Sequence, residues 1–344
     1  ISAKQGWLQS AFMGQAKVLP KQWLEPLQVE SWGYRRKARL GVRYVNKKDK
    51  VLVGFRERKS SFITVMERCE VLHPLLGDNL ELLGECIGKL SIKFHVPQIE
   101  VAIAELDTIL ILRHLKPLTS KDEIILQEYG KKLKVTWYTQ SGGLETVKPL
   151  TEAVSLNYSL PDHDIKMTFL PTDFTQVNFE LNQKMINLAL QLLDLNKEDE
   201  VIDLFCGLGN FTLPISRYVK TVVGIEGDSG LVERAKENAS QNGVSNASFY
   251  KADLFEDVSG FEWFRGKKYN KALIDPARSG AIEIVELLPR LGVERLVYVS
   301  CNPSTLARDT SRLIDLGFTL SSAGVMDMFP QTAHVESIAL FLKK

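Results

Sequence analysis

The chain has 344 residues, of which 44% are hydrophobic and 25% charged, and its net charge is +1. No apolar run approaches the roughly 18 residues needed to cross a bilayer, no signal peptide is visible, and four cysteines in so long a chain are not typical of a disulfide framework. These features exclude membrane-spanning and disulfide-rich secreted proteins, and we expect a cytoplasmic monomer of two domains with no membrane partner. Because the chain begins at Ile1 rather than Met, we also expect it to be part of a longer protein.

The N-terminal third combines a helical pattern with a basic hairpin. Residues 1–30 carry apolar positions at helical spacing, and their packing partner is not evident. Residues 34–59 hold eleven Lys and Arg against two acids, and their alternating pattern around NKKDK predicts a hairpin with one basic face. The alternative is a solvated strand face, but the interleaved aromatic residues favour phosphate contacts and base stacking. We predict RNA contacts for Arg35, Arg36, Arg39 and Arg43.

Residues 31–168 contain mixed helix and strand patterns, and no catalytic constellation is evident from spacing. They predict a smaller α+β domain, followed by a second domain over residues 169–344. Within the first of these, Cys69 precedes an apolar stretch and by itself is more typical of a small core residue.

A glycine loop organises the second domain. The segment EVIDLFCGLGNFT (200–212) reads as a buried strand, a turn with Gly207 and Gly209, and a helix from Asn210. A second strand ends in Glu226, about 20 residues beyond the loop, where a carboxylate can accept hydrogen bonds from ribose hydroxyls. The spacing GxGNF, rather than GxGxxG, favours a smaller adenosyl ligand over a dinucleotide.

Strands and helices then alternate to the C-terminus, which predicts an α/β fold with a doubly wound sheet. Three strand ends carry Asp275, Cys301 and Glu336. Singly, these could be a helix cap, a buried apolar residue and a surface charge. Together they suit methylation of a pyrimidine at C5, which requires a thiolate that adds to C6, a base that removes the C5 proton, and a methyl donor. Cys301 precedes a helix beginning near Pro303, whose positive end should lower the thiol pKa, and Cys206 is the weaker nucleophile candidate because it should face the cofactor.

Five motifs extend this pattern: DFTQVN (173–178), DLFCGLGNFT (203–212), LIDPAR (273–278), SCNPSTLARD (300–309) and DMFPQTAHVES (327–337). They resemble those of the RNA uracil-C5 methyltransferase family, and WGYRRKARL (32–40) with Cys69 most resembles its bacterial 23S rRNA branch. The resemblance implies a Rossmann-like class I methyltransferase domain that uses S-adenosyl-L-methionine and acts on RNA. It also implies that residues 1–30 pack on the catalytic domain.

The same resemblance implies roles for individual residues. Cys301 would be the nucleophile and Glu336 the base, while Phe174 would stack on the flipped target base. Asp253 would lie beside the adenine, although the family often has asparagine there. The remaining residues of the cofactor and target-base pocket would be Gln176, Phe205, Asn210, Glu226 and Asp275.

The chain departs from the family in its cysteines. Such enzymes carry a small β-barrel RNA-binding domain and hold a [4Fe–4S] cluster on four cysteines, three of them upstream of where this chain begins. Cys69 matches only the fourth ligand, so we expect a cluster only in a longer form. The alternative functions are a family member acting on tRNA or another rRNA uridine, and a non-catalytic RNA-binding relic, although binding alone requires neither Cys301 nor Glu336.

Overall fold

A computed structural model of the chain describes residues 1–57, 59–60 and 62–344. Arg58, which belongs to the basic segment of the sequence, lies outside the described residues, as does Ser61. The chain forms two compact units: the first comprises Ile1–Val29, Ser159–Met167 and Glu180–Lys344, and the second comprises Glu30–Tyr158 and Thr168–Phe179. Residues 169–179, assigned to the C-terminal domain on sequence, therefore lie in the second unit. The functional division of the chain into domains stays a prediction.

The N-terminal segment belongs to the core of the first unit. It consists of α1 (Ser2–Ala11), one π-helical turn (Phe12–Ala16) and β1 (Gln22–Trp23). Leu8 and Phe12 lie four residues apart, are completely buried and belong to the hydrophobic core of this unit. The helix is therefore a packed element, and its partner, which is not evident from the sequence, is that core.

A six-stranded sheet with the order β3-β2-β4-β5-β6-β7 organises the second unit. Strands β2 and β3 are antiparallel with Gly41 opposite Gly54, as the hairpin pattern predicts. The strands of this sheet are β2 (Lys37–Val45), β3 (Lys50–Gly54), β4 (Gln98–Ile103), β5 (Thr108–Arg113), β6 (Thr136–Gln140) and β7 (Lys148–Pro149), and the helices of the unit are α2 (Pro74–Gly77), α3 (Leu80–Lys89) and α4 (Ser120–Leu133).

The C-terminal half alternates strands and helices. A two-stranded sheet of β8 (Leu156–Leu160) and β9 (Ile165–Phe169) comes first. It is followed by α5 (Phe179–Leu193), β10 (Glu200–Leu204), α6 (Thr212–Ser216), β11 (Thr221–Glu226), α7 (Ser229–Gln241), β12 (Ala247–Lys251), β13 (Lys271–Ile274), α8 (Ile282–Val285), α9 (Leu288–Leu291), β14 (Arg295–Ser300), α10 (Pro303–Asp315), β15 (Phe318–Met326) and β16 (Glu336–Lys343).

Strands β10 to β16, together with β1 from the N-terminal segment, form an eight-stranded sheet with the order β1-β15-β16-β14-β13-β10-β11-β12. Strands β10 to β14 pair in parallel, and β16 lies antiparallel between β14 and β15. The strand order reverses at β10, whose neighbours are β11 and β13, and ligands of such sheets bind outside the carboxyl ends at that point. The predicted α/β architecture is confirmed. The first helix after the glycine loop begins at Thr212, two residues later than the predicted start at Asn210, and it ends at Ser216.

No helix among the residues that the structure describes has the length and apolar character needed to cross a membrane.

Candidate active site

The glycine loop follows β10 at the reversal of strand order. Phe205, Gly207 and Gly209 have positive φ angles of 67°, 56° and 95°, a conformation that glycine adopts readily. Glu226 accepts hydrogen bonds from the N–H of Gly207 and of Asp228, each at 3.0 Å. A Cβ atom at Gly207 would meet nothing within 4 Å, so the main chain there faces open space. The loop is thus held by a carboxylate and can be approached by a ligand.

Asp203 lies beneath this loop and is fully buried. Its Oδ2 accepts a hydrogen bond from Thr212 Oγ1 at 2.5 Å, which fixes the start of α6. Burial is the main cause that raises the pKa of Asp203 to about 8, and the charges of Asp275 and Glu226 add to it. Burial therefore favours the neutral form of the Asp203 carboxyl.

Asn210 closes the loop through a reciprocal amide pair. Its Nδ2 donates to Asn182 Oδ1 at 2.9 Å, and Asn182 Nδ2 donates back to Asn210 Oδ1 at 3.0 Å. Asn182 lies on α5 and is buried, so the helix fixes the end of the loop. The sequence singles out Asn210 but gives no signal for Asn182, because a lone asparagine in an amphipathic helix resembles a surface residue.

An aromatic pair lies beside the loop. The rings of Phe205 and Phe255 are 5.8 Å apart, and Phe255 remains 44% exposed. Asp253 Oδ1 accepts a hydrogen bond from the Phe255 N–H at 3.0 Å, which positions the turn after β12. The two faces offer an apolar place for a planar ring. The sequence does not predict a role for Phe255, because the turn that orients its side chain is not evident from the residues.

Cys301 and Glu336 meet through the register of two strands. Ser300, the last residue of β14, is paired with Ser337 of β16, and Ser337 Oγ donates to Ser300 O at 3.3 Å. Cys301 and Glu336 are the next residues beyond this pair, and the charge of Glu336 acts on the Cys301 thiol, so the two side chains lie near each other. Glu336 is also paired with Met326 of β15, which fixes it from the other side. A thiol and a carboxyl group therefore stand side by side at one end of the sheet.

The environment of this pair disfavours negative charge. Burial, followed by the nearby Glu336 and Asp275 carboxylates, raises the pKa of Cys301 to about 11, and Arg278 only partly offsets this. The prediction that the helix end lowers this pKa is wrong, because burial and two acids outweigh the start of α10. Burial, with Asp275, likewise raises the pKa of Glu336 to about 8, and burial raises that of Asp275 to about 7.

Cys301 also lines an open cleft of about 370 Å³ in the first unit. Arg278 lines this cleft as well, and its Nη2 lies 3.0 Å from Nδ1 of His334, another lining residue. Asn302 caps α10 by accepting a hydrogen bond from the Ser304 N–H at 3.1 Å. The thiol is therefore reachable from solvent, with a guanidinium group nearby.

Cys206 does not share this access. Its side chain is buried, its N–H donates to Ile225 O at 3.0 Å, and a Cβ atom at Gly224 would come within 2.9 Å of its sulfur. Burial raises the pKa of the Cys206 thiol well above its usual value. The expectation that Cys206 faces the cofactor is wrong, because the loop turns its side chain into the interior.

The RNA-contact candidates lie in the second unit. Phe174 is 71% exposed, and Gln176, which the sequence assigns to the cofactor and target-base pocket, is half-buried in the same unit. Arg39 and Arg43 are exposed, whereas two arginines turn inward: Arg35 Nε donates to Lys37 O at 3.1 Å, and Arg36 Nη1 donates to Ala104 O at 3.0 Å while its guanidinium lies over the Phe179 ring.

Cys69 is half-buried in the second unit, and its N–H donates to Gly77 O at 2.9 Å. Among the described residues, no group of three or more His, Cys, Asp and Glu side chains is placed to hold a metal ion. A [4Fe–4S] cluster normally takes four thiolates, so these residues do not fit one.

Sequence comparison now places these features in a family. The model of the tRNA (Uracil-5-)-methyltransferase family matches residues 108–344. The chain belongs to this family. Its relatives include the 23S rRNA (uracil(1939)-C(5))-methyltransferase RlmD of Vesicomyosocius okutanii, 67% identical over all of this chain and 78% of that protein. RlmD of Stenotrophomonas maltophilia is 49% identical, again over 100% of this chain and 78% of that protein.

A solved structure supports the fold of this family member. The Pyrococcus abyssi tRNA (uracil-54, C5)-methyltransferase, determined with S-adenosyl-L-homocysteine, matches 98% of this chain and 83% of its own, with a TM-score of 0.74 and 21% identity. The Rossmann-like methyltransferase fold expected from the motifs is therefore confirmed.

Proposed function

We propose that this protein transfers a methyl group from S-adenosyl-L-methionine to C5 of a uridine in 23S rRNA, in the cytoplasm. The names of its relatives support this RNA and the uridine that corresponds to their position 1939. The observation that carries the chemistry is the pairing of Ser300 with Ser337, which brings the adjoining residues Cys301 and Glu336 to the same end of the sheet, where their charges interact. Uracil C5 methylation needs such a nucleophile and base together.

The thiol would begin the reaction. C5 of uracil belongs to a conjugated ring and is a poor nucleophile. Bond formation between Cys301 Sγ and C6, after the thiol loses its proton, moves the electron pair of the ring double bond and makes C5 nucleophilic. The bound cofactor supplies the electrophilic methyl group. The open cleft at Cys301 supports access for a base that has left its stack.

The Glu336 carboxylate would complete the reaction. Once C5 carries both a proton and the methyl group, Glu336 accepts that proton, the C5–C6 double bond forms again, and the Sγ–C6 bond breaks. A base is useful only in its ionised form, and the pKa of Glu336, raised to about 8 by burial and by Asp275, lies close to working pH. The thiol proton passes to solvent before Sγ attacks, and the proton taken from C5 passes from Glu336 to the departing Sγ. Both groups thus return to their starting protonation states, and the reaction releases one proton to solvent.

The glycine loop fits the cofactor. Open space at Gly207 and the hydrogen bond from its N–H to Glu226 support binding of an adenosyl compound with its ribose at Glu226. Phe205 and Phe255 would flank the adenine, with Asp253 at its edge. Asn210 would act by holding the loop, because both amide atoms already pair with Asn182.

The second unit would hold the RNA. The exposure of Phe174 supports stacking on a base, and Gln176, two residues further on, would contact the target base. Asp275 would act within the first unit, where its charge reaches Glu336. Arg39 and Arg43 would contact phosphates from the hairpin. Arg35 and Arg36 would orient that surface through their backbone hydrogen bonds.

Mapping of 5-methyluridine in rRNA and tRNA tests the proposal. Cells that lack the gene should lose 5-methyluridine at one 23S rRNA position and regain it with the wild-type gene but not with Cys301→Ala. Loss at a tRNA position instead would favour the tRNA-acting alternative. An unchanged pattern in both RNAs would favour a non-catalytic RNA-binding protein.

A further inference from the structure

Trp7 is a large aromatic side chain that the first unit leaves partly in water. It is 49% exposed, and it lines the cleft that Cys301 also lines. An indole gains stability from burial or from a partner for its ring, so Trp7 offers a binding face for a ligand in the cleft beside Cys301. None of the roles proposed above uses Trp7.

The helix that carries Trp7 is firmly anchored. Lys4 Nζ donates to Asp327 Oδ1 at 2.7 Å and to Phe329 O at 3.0 Å, and Lys4 and Leu8 are both buried. Trp7 follows Lys4 by three positions and directly precedes Leu8. Because both of these residues are anchored, the direction in which Trp7 projects from the helix is fixed. The indole is therefore held by a rigid support and would lose little freedom when it binds a ring.

The walls of the cleft suit a nucleotide. Arg278 is exposed and offers a guanidinium group, Asn302 and Ser304 are polar, and Trp7 offers an aromatic face. None of the described residues that line the cleft is acidic. A cationic group beside an aromatic platform binds the phosphate and base of single-stranded RNA, whereas an apolar partner segment would have no use for the charge.

The chemistry at Cys301 makes such a nucleotide available. The target uridine must leave its stack to reach the thiol, and this exposes the faces of the bases next to it. A platform in the same cleft would bind one of those faces and offset part of the cost of unstacking.

We propose that Trp7 stacks on a nucleotide adjacent to the target uridine, so that the N-terminal helix forms part of the RNA site. This inference rests on the proposed function, because Cys301 defines where the target base lies. Trp7 acts here as a positioning residue, since it touches the RNA strand and not the reacting atoms.

A fluorescent base tests this contact directly. In an RNA fragment of the substrate, 2-aminopurine replaces the nucleotide on each side of the target in turn. Wild-type protein should quench its fluorescence at one of the two positions. Trp7→Ala should abolish that quenching and raise Kd about 5- to 150-fold, the range expected for one lost base–aromatic stack. Trp7→Phe should retain most of both, because a smaller ring still stacks.

Met13→Ala is the matched control. Met13 belongs to the same N-terminal segment, is 52% exposed and is not a lining residue of the cleft. It should leave quenching and Kd unchanged. Quenching that persists in Trp7→Ala overturns the inference. It is also overturned if Trp7→Ala and Trp7→Phe both bind RNA more weakly and both melt at an equally lowered temperature, because Trp7 would then be packed against protein rather than RNA.

Failure of the proposed function would look different. The quenching measures binding alone, whereas the function requires a covalent adduct between wild-type protein and RNA containing 5-fluorouridine. An adduct without Trp7-dependent quenching would reject only the stacking contact.

Discussion

Burial and neighbouring acids raise the pKa of the Cys301 thiol to about 11 and that of the Glu336 carboxyl to about 8, which favours the protonated form of both groups in the free protein. Keeping the pair neutral avoids two adjacent negative charges at the end of the sheet. The chemistry is thereby coupled to pH through Glu336, whose titration lies closer to neutrality.

The pH dependence of product release follows from this pKa. The decay of the methylated covalent adduct, measured after a single turnover, should accelerate about 50-fold between pH 6 and pH 8 and then level off, because the ionised fraction of a group with pKa 8 rises by that factor. Glu336→Gln should slow the decay roughly 10²- to 10⁴-fold and abolish its pH dependence.

Glu283→Gln is the control, since Glu283 is an exposed acid on α8 of the same unit. It should keep the wild-type profile. Normal turnover by Glu336→Gln would remove Glu336 from the mechanism and direct the search for the base to His334 or Asp275.

The sequence predicts where Cys301 and Glu336 lie, but it does not predict the pKa of the Cys301 thiol. The carboxyl end of β14 before Cys301 can be found from its apolar run, and Glu336 reaches the same edge of the sheet because β16 begins there and runs antiparallel to β14. The pKa of Cys301 cannot be predicted from the sequence, because it depends on burial and on Asp275, which is distant in the chain. The buried placement of Cys206 is hidden for the same reason.

At the scale of elements, the basic hairpin has two kinds of arginine. Arg39 pairs with Glu100 at 3.1 Å but remains exposed, and the exposed Arg43 lies over the Phe62 ring. Arg36 is half-buried, which lowers the pKa of its guanidinium, and its backbone N–H donates to Val177 O at 2.9 Å. The alternating sequence pattern predicts the hairpin correctly. It does not predict that Arg35 and Arg36 turn inward, because these two residues precede β2.

The exposed arginines should carry the salt dependence of RNA binding. Replacing Arg39 and Arg43 together with Ala should weaken binding and lower the slope of log K against log salt by roughly one for each lost phosphate contact. Arg36→Ala should instead lower the melting temperature, because it removes a hydrogen bond to Ala104 O and a ring contact.

Lys121→Ala with Lys131→Ala removes the same charge from exposed positions of α4 and should leave the slope nearly unchanged. Equal slopes for wild type and the Arg39 and Arg43 variant would show that the hairpin is only a solvated face.

Across the whole molecule, the thiol and carboxyl pair lies in the first unit, whereas Phe174, Gln176 and the hairpin lie in the second. The alternation of strands and helices predicts the large sheet and a closing strand near 335–342, but not that this strand, β16, runs antiparallel to its neighbours. The assignment of residues 169–179 to the second unit could not be predicted, because it depends on contacts such as that between Val177 and Arg36.

Iron binding is a further property of the whole chain. Among the described residues, Cys69 belongs to no group that could hold a metal ion, so the 344-residue chain should take up no stable cluster on anaerobic reconstitution. Iron and sulfide analysis provides the measurement. Stoichiometric uptake of four irons would show that thiols outside this arrangement come together in solution.

Covalent capture of the RNA tests the central claim most directly. Substrate RNA with 5-fluorouridine at the target position, incubated with the protein and S-adenosyl-L-methionine, should form a species that survives denaturing electrophoresis and contains the transferred methyl group, because fluorine cannot leave C5 as a proton does. Cys206→Ala should still form it, since that thiol is buried away from the cleft. Cys301→Ala should bind RNA yet form none. An adduct that persists in Cys301→Ala would contradict the proposed mechanism and place the nucleophile elsewhere.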